Sequence, residues 1–201
     1  MVKFMEKLKK ELKVKIPRIA ANGVKIPKNV EYRQDSGEMI FSFSGQEIRR
    51  FVPDYIIAKC LEEKIFLTLA PINTSVLTRK EQRTRISELG TYSSLLKSDV
   101  NGILEPFTKV LELVGVGYKA EPHKDGIKLS LGYSHDVICP LPSGVSLTIE
   151  KPTVFKLSSR DRVLLGHVVS SILKVRQVEP YKGKGIRIQG QYVRMKQGKT
   201  K

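Results

Sequence analysis

Lysine and glycine alternate over residues 182–185, directly after Tyr181, in the stretch EPYKGKGIR. Glycine has no Cβ, so its backbone can approach a phosphate group closely and turn amide N–H groups toward it. Lysine supplies the positive charge that attracts such an anion, and a tyrosine ring offers a face to a base or a sugar. These residue types in this order predict a site for the phosphate groups of a polyanion.

More basic residues surround this turn in the sequence. Residues 174–201 contain nine Lys and Arg and one acid, Glu179, so this segment holds half of the net charge of +16. An arginine such as Arg187 can donate two hydrogen bonds to a phosphate or to the edge of guanine. For the turn by itself, a lysine-flanked surface turn is an equally good interpretation. We assign these residues to the predicted site: Lys174, Arg176, Tyr181, Lys182, Gly183, Lys184, Gly185, Arg187, Arg194, Lys196 and Lys199.

The charge of the whole chain favours the same class of partner. The 201 residues include 36 Lys and Arg against 20 Asp and Glu, and the sequence pI is about 9.9. Residues 61–173 are nearly balanced, with 14 bases and 12 acids, so the excess lies toward the two ends. Such a distribution indicates nucleic acid rather than an ordinary metabolite. No apolar run approaches the roughly 20 residues that cross a bilayer, so we expect no membrane span.

The residues that usually carry catalysis or bind metals are scattered. His123, His135 and His167 lie far apart, and neither HExxH nor GxSxG occurs. Cys60 and Cys139 form no CxxC pair, and we expect both to be small buried hydrophobic residues. His167 is expected to be a packed or surface residue, whereas His135, after a Gly-Tyr-Ser turn, is a candidate phosphate contact. The sequence predicts no enzyme, no cofactor and no metal site.

Two glycine motifs that resemble nucleotide-binding loops lack essential parts. VGVGYKAE at residues 114–121 has a GxG but neither a third glycine nor a following helix, which excludes a dinucleotide site. We expect its glycines to let a strand bend or approach another backbone. The KGKG turn is not part of a GxxxxGK[ST] loop and does not open a helix, so it is not a Walker motif.

The N-terminal stretch has a helical pattern, with apolar residues at Phe4, Met5, Leu8 and Leu12 and lysines on the other faces, and Pro17 ends it. Transit peptides are rich in Arg and Ser and poor in acids, whereas this stretch contains two glutamates and its bases are lysines. We therefore expect a solvated extension that touches RNA or a partner. Targeting or membrane-surface contact is the alternative.

The remaining sequence predicts the same order of elements twice. The first half reads as strands over VKIP, NVEYR, MIFSFSG, EIRRFVP and KIFLTLA, followed by a helix from Thr74 to about Val100 that Asn101-Gly102 ends. The second half reads as strands over KVLELVGVGYKAE, GIKLSLGYS, VSLTIE and TVFKLSS, followed by the helix DRVLLGHVVSSILKVR. Asp161 is the predicted N-cap or first-turn acid of that helix.

The two halves also align with each other. GEMIFSFSG matches DGIKLSLGY at an offset of 88 residues, and Pro53 matches Pro142 at an offset of 89. We therefore predict an α+β fold of two tandem homologous domains, each an antiparallel β-sheet with one α-helix packed on it. The expected divisions are a basic N-terminal extension (1–23), a first domain (24–103), a second domain (104–176) and a basic RNA-binding C-terminal segment (177–201).

LELVGVGYKAE, LSLGYSH and EPYKGKGIR, in this order and spacing, resemble the bacterial-type large-subunit ribosomal protein six, the L-six family. The resemblance runs from about Lys25 to the end and includes LGTYSSLLKSDVNGILEPF at residues 89–107. The sequence departs from the family pattern at Val178, where proline or serine is usual, and the N-terminal extension lies outside the resemblance.

The resemblance implies a structural protein of the large ribosomal subunit, built from two duplicated domains. It further implies binding to large-subunit ribosomal RNA, mainly through the second domain and tail, beside the sarcin-ricin loop and the base of the factor-binding stalk. Neighbouring ribosomal proteins would be permanent partners, and translation factors would pass nearby. Recognition is then expected to depend chiefly on RNA shape and phosphates.

The ending VRMKQGKTK resembles that of mitochondrially located members, so we favour the mitochondrial matrix, with the bacterial cytoplasm or a plastid as alternatives. Two other functions stay open on the residues alone. One is a non-ribosomal RNA-binding or RNA-chaperone module. The other is a small enzyme acting on an anionic substrate, which would need a pocket with converging polar groups.

Overall fold

The computed structural model describes residues 17–35, 37–61, 63–70 and 78–198. The chain divides into two compact units, Met1–Leu104 and Glu105–Lys201, which we call the first and the second unit. The predicted amphipathic stretch before Pro17 lies outside the described residues, as does Lys199. None of the helices in the described ranges combines the length and hydropathy required to span a lipid bilayer.

The first unit consists of two antiparallel sheets and a long helix. Its elements in the described residues are α1 (Arg18–Asn22), β1 (Val24–Lys25), β2 (Glu31–Asp35), β3 (Glu38–Phe43), β4 (Gln46–Phe51), β5 (Ile56–Leu61), β6 (Lys64–Leu69) and α2 (Arg79–Leu104). Strands β2, β3 and β4 form one sheet in that order, and β1, β6 and β5 form the other. The consecutive strands β2–β3, β3–β4 and β5–β6 pair antiparallel, an arrangement that a short connection can close.

Helix α2 buries one face against the core of the first unit. Leu89, Leu96, Val100 and Ile103 recur at helical spacing and are at most 2% exposed. The sequence predicts the end of this helix at Asn101-Gly102, but α2 continues to Leu104. Ile103 lies beyond the glycine and is fully buried, so its burial outweighs the roughly 1 kcal/mol that glycine costs inside a helix.

An ion pair joins α2 to the β2-β3-β4 sheet. Asp99 is 1% exposed in its side chain and accepts two hydrogen bonds from Arg50 of β4, at 2.9 Å from Nε and 2.7 Å from Nη2. This bidentate geometry, in which two N–H groups bond the two carboxylate oxygens, suits the planar guanidinium. Loss of either partner would leave a charge buried without its counter-ion.

The folded part of the first unit begins before residue 24, where the sequence predicts the boundary of the extension. Ala20 in α1 is 1% exposed and belongs to the same core as α2. Helix α1 contacts both α2 and β6. A Cβ added at Gly90 of α2 would lie 3.5 Å from the side chain of Pro17, so the two segments pack closely.

The second unit repeats this plan and adds one strand. Its described elements are β7 (Phe107–Val114), β8 (Lys119–His123), β9 (Gly126–Ser130), β10 (Val137–Pro140), β11 (Val145–Lys151), β12 (Val154–Ser159), α3 (Arg162–Val175) and β13 (Gly185–Ile188). Strands β10, β9 and β8 form one antiparallel sheet, and β11, β12, β7 and β13 form the other. In the described part of the first unit, no strand corresponds to β13.

Helix α3 begins and packs as its sequence predicts. The carboxylate of Asp161 accepts hydrogen bonds from the backbone N–H groups of Val163 (2.8 Å) and Leu164 (3.3 Å), which confirms the predicted N-cap. The buried residues of α3 are Leu165, Val168, Val169 and Ile172, and they join a core with the inward faces of both sheets.

The α+β fold with two similar halves is confirmed. Strand β3 starts at Glu38 and β9 at Gly126, an offset of 88 residues that matches the predicted alignment. Strands β5, β10 and β13 and helix α1 were missed by the sequence interpretation. The cysteines are also less buried than expected, because Cys60 is exposed on β5 and Cys139 is half-buried.

Candidate nucleic-acid interface

Strand β13 fixes the glycine-lysine turn at one end of the second unit. It pairs antiparallel with β7, with Gly185 opposite Val114 and Ile188 opposite Leu111. Because Ile186 is only 1% exposed, burial as well as backbone pairing holds this strand in the sheet. The C-terminal segment expected from residue 177 onward is therefore partly a structural element of the second unit.

The turn itself closes through two backbone hydrogen bonds. Glu179 N–H donates to the Lys184 carbonyl (2.8 Å), and Gly183 N–H donates to the Glu179 carbonyl (2.9 Å). Lys182 and Lys184 are exposed, whereas Gly183 and Gly185 are buried. In this alternating sequence the charged lysine side chains therefore face solvent, while the glycine backbone is buried against the rest of the second unit.

The two glycines serve close packing of the chain against itself. Gly185 has φ +138°, and a Cβ there would lie 2.7 Å from the Gln177 carbonyl oxygen and 2.8 Å from the Val178 Cα. Gly183 has φ +68°, and a Cβ there would lie 2.7 Å from the Met195 methyl group. The sequence interpretation had these glycines exposing amides to phosphate, but the Gly183 amide is already bonded within the turn.

The C-terminal tail returns to this turn. A second turn closes with a hydrogen bond from Gln191 N–H to the Ile188 carbonyl (3.0 Å), and Lys196 N–H then donates to the Pro180 carbonyl (2.8 Å). Arg194 and Lys196 are exposed on this returning segment. A backbone hydrogen bond therefore joins the returning segment to the glycine-lysine turn, and both carry exposed basic side chains.

The end of α3 delivers two further basic residues. Ile186 N–H at the start of β13 donates to the Arg176 carbonyl (3.0 Å), so the helix end lies against the strand. Lys174 is in the last turn of α3 and is exposed. A cation there also interacts favourably with the carbonyl end of the helix dipole.

Tyr133 attaches the β9–β10 loop to the end of α3. The sequence interpretation did not assign a role to this residue. Its hydroxyl donates to the Val175 carbonyl (3.0 Å), and the Arg176 guanidinium lies 4.8 Å from its ring centroid. A hydrogen bond with the Tyr133 hydroxyl is the main cause of a raised pKa for Arg176. The only signal in the sequence was that Tyr133 belongs to LSLGYSH, one of the motifs carrying the family resemblance.

Polar side chains hold the base of that loop. Asp136 accepts a hydrogen bond from the Ser130 hydroxyl (2.6 Å) and pairs with Lys128 at 2.9 Å. These contacts, that of Ser130 first, lower the pKa of Asp136. His135 is exposed in the loop, 3.4 Å from the Ser134 hydroxyl, and so is available as the candidate phosphate contact.

Arg187 has a different environment from the other predicted basic residues. Its Nε donates to the Glu112 carboxylate across the β13–β7 pair (3.2 Å), and both side chains are partly shielded. The pair lies at directly opposed positions in the sheet. Its immediate role is therefore to hold β13 on β7.

Backbone hydrogen bonds in the described chain connect the three segments that carry most of the predicted site residues: the end of α3, the glycine-lysine turn and the returning tail. We call the following residues the basic surface: Lys174, Arg176, Tyr181, Lys182, Lys184, Arg194 and Lys196. Gly183 and Gly185 shape it from within, Arg187 supports it, and Lys199 lies outside the described residues.

Within the part of the chain that the structure describes, no three His, Cys, Asp or Glu side chains group so that they could hold a metal ion. His123 ends β8, where Nδ1 is 3.7 Å from the Asp125 carboxylate, while His167 is exposed on α3. A cleft in the first unit, lined mainly by apolar residues of β2 to β5 and their connections, has Asp54 as its one acidic residue and contains no histidine. It offers no pair of side chains for acid–base catalysis.

Comparison with known proteins identifies the family. The family model for ribosomal protein L6 matches residues 114–188, from the last residue of β7 to the last residue of β13. A protein of Sphingopyxis alaskensis called large ribosomal subunit protein uL6 is 35% identical over 184 residues, covering 92% of this chain and 99% of that protein.

Two further relatives carry the same name. The protein of Staphylococcus epidermidis is 36% identical over 163 residues, covering 81% of this chain and 92% of that protein. The protein of Hyphomonas neptunium is 47% identical over 115 residues, which is 57% of either chain. Since similarity extends over nearly the whole length of this chain and its Sphingopyxis relative, the chain belongs to the ribosomal protein L6 family.

Proposed function

We propose that this chain is a structural protein of the large ribosomal subunit, without enzymatic activity. Membership of the ribosomal protein L6 family and the name of its bacterial relatives support this function. The two units, each with its own core, suit a protein that fills a shaped site between RNA segments.

The basic surface of the second unit binds large-subunit ribosomal RNA. The observation that carries this proposal is that three separate segments, the end of α3, the glycine-lysine turn and the returning tail, present bases at one place. Glu179 is the single acid among residues 174–201, against nine bases. RNA phosphates are the partner that such a surface attracts most strongly.

The first unit has a smaller share of the RNA contact. Residues 17–104 contain 13 bases and 10 acids, whereas residues 105–201 contain 17 bases and 8 acids. In our proposal the first unit faces neighbouring ribosomal proteins and passing translation factors. In the same proposal, which follows the family resemblance, the chain lies beside the sarcin-ricin loop and the base of the factor-binding stalk.

The cellular compartment of this chain depends on which type of ribosome it belongs to. The relatives named above are bacterial, so a bacterial-type large subunit is the proposed location. The mitochondrial matrix, favoured by the C-terminal sequence, stays a prediction beside the bacterial cytoplasm and the plastid.

Sedimentation distinguishes this function from that of a non-ribosomal RNA-binding module. We expect the tagged full-length chain, expressed in its own organism, to move with the large subunit through a sucrose gradient and to stay there after a high-salt wash. A chain that stays at the top of the gradient would instead be a free RNA-binding or chaperone protein.

Replacing three lysines tests the basic surface. In Lys182→Ala/Lys184→Ala/Lys196→Ala we expect weaker binding to large-subunit ribosomal RNA, and a plot of log affinity against log salt flatter by about 2 to 3 in total, because each lost phosphate contact contributes about 0.7 to 0.9. Arg187 is left unchanged because its pairing with Glu112 gives it a structural role.

The matched control removes the same charge from exposed positions of the first unit, as Lys25→Ala/Lys80→Ala/Lys97→Ala. Its salt slope should stay close to that of the wild type. Equal flattening in both triple variants would mean that RNA responds to net charge and not to the basic surface.

Gly185→Ala tests whether the glycine-lysine turn needs close packing. The added Cβ would press on the backbone at Gln177 and Val178, so we expect a loss of roughly 1–3 kcal/mol in stability together with weaker RNA binding, measured by thermal unfolding and by titration.

Gly190→Ala is the control for this substitution, because Gly190 has φ +77° but no atom within 4 Å of an added Cβ. It should cost backbone strain of roughly 1–2 kcal/mol while RNA affinity is preserved. If Gly185→Ala keeps wild-type stability and affinity, the packing of the turn is not what positions its lysines.

A further inference from the structure

Two tyrosines of the second unit expose their rings to solvent among the lysines. Tyr181 is 55% exposed and directly precedes Lys182, and Tyr192 is 87% exposed at the start of the returning tail. Large aromatic side chains gain stability by burial, so rings this exposed contribute little to the fold. Packing within the second unit therefore does not explain why tyrosines stand at these two positions, whereas contact with a binding partner would.

Backbone contacts place both tyrosines on segments that meet. Lys196 N–H donates to the carbonyl of Pro180, the residue before Tyr181, so the tail that begins with Tyr192 runs back to the glycine-lysine turn. Met195 on the same tail covers Gly183 and is itself 55% exposed. The two segments that meet here thus carry exposed aromatic or apolar side chains as well as exposed lysines.

An aromatic ring and a cation also lie together at Tyr133 and Arg176, where the two side chains are in direct contact. The tyrosine ring is 43% exposed, and the guanidinium lies 4.8 Å from its centroid. A guanidinium plane or an aromatic ring held in place can stack on a nucleobase without a large loss of side-chain freedom.

Stacking on a protein ring requires a base that is not stacked within a duplex. In A-form RNA the bases are covered by their neighbours, whereas loops, bulges and ends expose them. Aromatic rings beside a cationic groove are how proteins hold such unpaired nucleotides, at about 1–3 kcal/mol for each stacked base. A surface that reads only phosphates and duplex shape has no use for exposed tyrosines.

We propose that Tyr181 and Tyr192 stack on unpaired nucleobases of an RNA whose phosphates contact the basic surface. The RNA class recognised is then a loop, bulge or junction, not an uninterrupted duplex. This proposal rests on the RNA-binding function proposed above, and it alters the expectation from sequence that recognition depends chiefly on shape and phosphates.

A protein partner is less well suited to this surface. Tyrosine and arginine are also common in protein interfaces. However, nine bases face one acid in residues 174–201, and an interface with a protein would need a strongly acidic patch to match. A single RNA ligand offers phosphates to the lysines and nucleobases to the aromatic rings.

The test uses the full chain and two RNA probes, a perfectly paired duplex and the same duplex with a bulge of adenines that includes a fluorescent adenine analogue. For Tyr181→Ala/Tyr192→Ala we expect affinity for the bulged RNA to fall by roughly 5- to 150-fold for each stacked base. The salt slope should not change, since no charge is removed. Affinity for the paired duplex should stay within about twofold, because that probe offers no unpaired base to stack.

Two companion variants make the result specific. Tyr181→Phe/Tyr192→Phe keeps both rings and should restore affinity and the fluorescence change of the bulged adenine. Phe51→Ala removes a ring that is 64% exposed in the first unit and should behave like the wild type.

Three outcomes would overturn the proposal, and each has a different meaning. Equal affinity of the wild type for both probes, unaffected by loss of the tyrosines, leaves the RNA-binding function but removes the stacking. A double alanine variant that binds both probes normally yet is lost from large subunits would assign the rings to a protein contact. Binding of neither probe by the wild type, with large-subunit ribosomal RNA also unbound, would contradict the proposed RNA-binding function itself.

Discussion

The antiparallel pairing of β13 with β7 is the constraint on which the rest of the second unit's surface depends. It sets Gly185 opposite Val114 and buries Ile186, and the Arg187–Glu112 pair locks the register. Because the strand is short and fixed in the sheet, the turn before it and the tail after it lie close enough for a backbone hydrogen bond between Lys196 and Pro180. A one-residue slip of β13 would exchange the faces of Ile186 and Arg187, which would turn the arginine toward the core and expose the isoleucine.

The same constraint explains how two units with one plan take different roles. Each has a three-stranded sheet, a second sheet and a helix on the core, but in the described residues only the second unit adds a strand after its helix. That strand carries the chain from α3 into the glycine-lysine turn and the basic tail. The first unit uses its buried polar contact, Arg50 with Asp99, to hold a sheet and helix together. The two units thus share one plan for the core, and the strand added in the second unit connects the segments that form the basic surface.

Sequence patterns predicted the features that depend on local chemistry. Asp161 as N-cap, the repeated pattern of strands followed by a helix, and the basic character of residues 174–196 all follow from residues close in the chain. What could not be predicted depends on contacts between distant residues. The inward orientation of Gly183 and Gly185 depends on Val178 and Met195, and the role of Tyr133 depends on its hydrogen bond to Val175 across 42 residues. Likewise, Gly102 signals a helix end unless the burial of Ile103 is known.

The most direct test of the account is lysine acetylation of the full chain, free and bound to protein-free large-subunit ribosomal RNA, with each site measured by mass spectrometry. All the lysines compared are exposed in the described structure, so differences in the free chain should be small. We expect RNA to protect Lys174, Lys182, Lys184 and Lys196, while Lys25, Lys80 and Lys97 keep their reactivity. Protection of the first-unit lysines, with the basic surface still reactive, would contradict it.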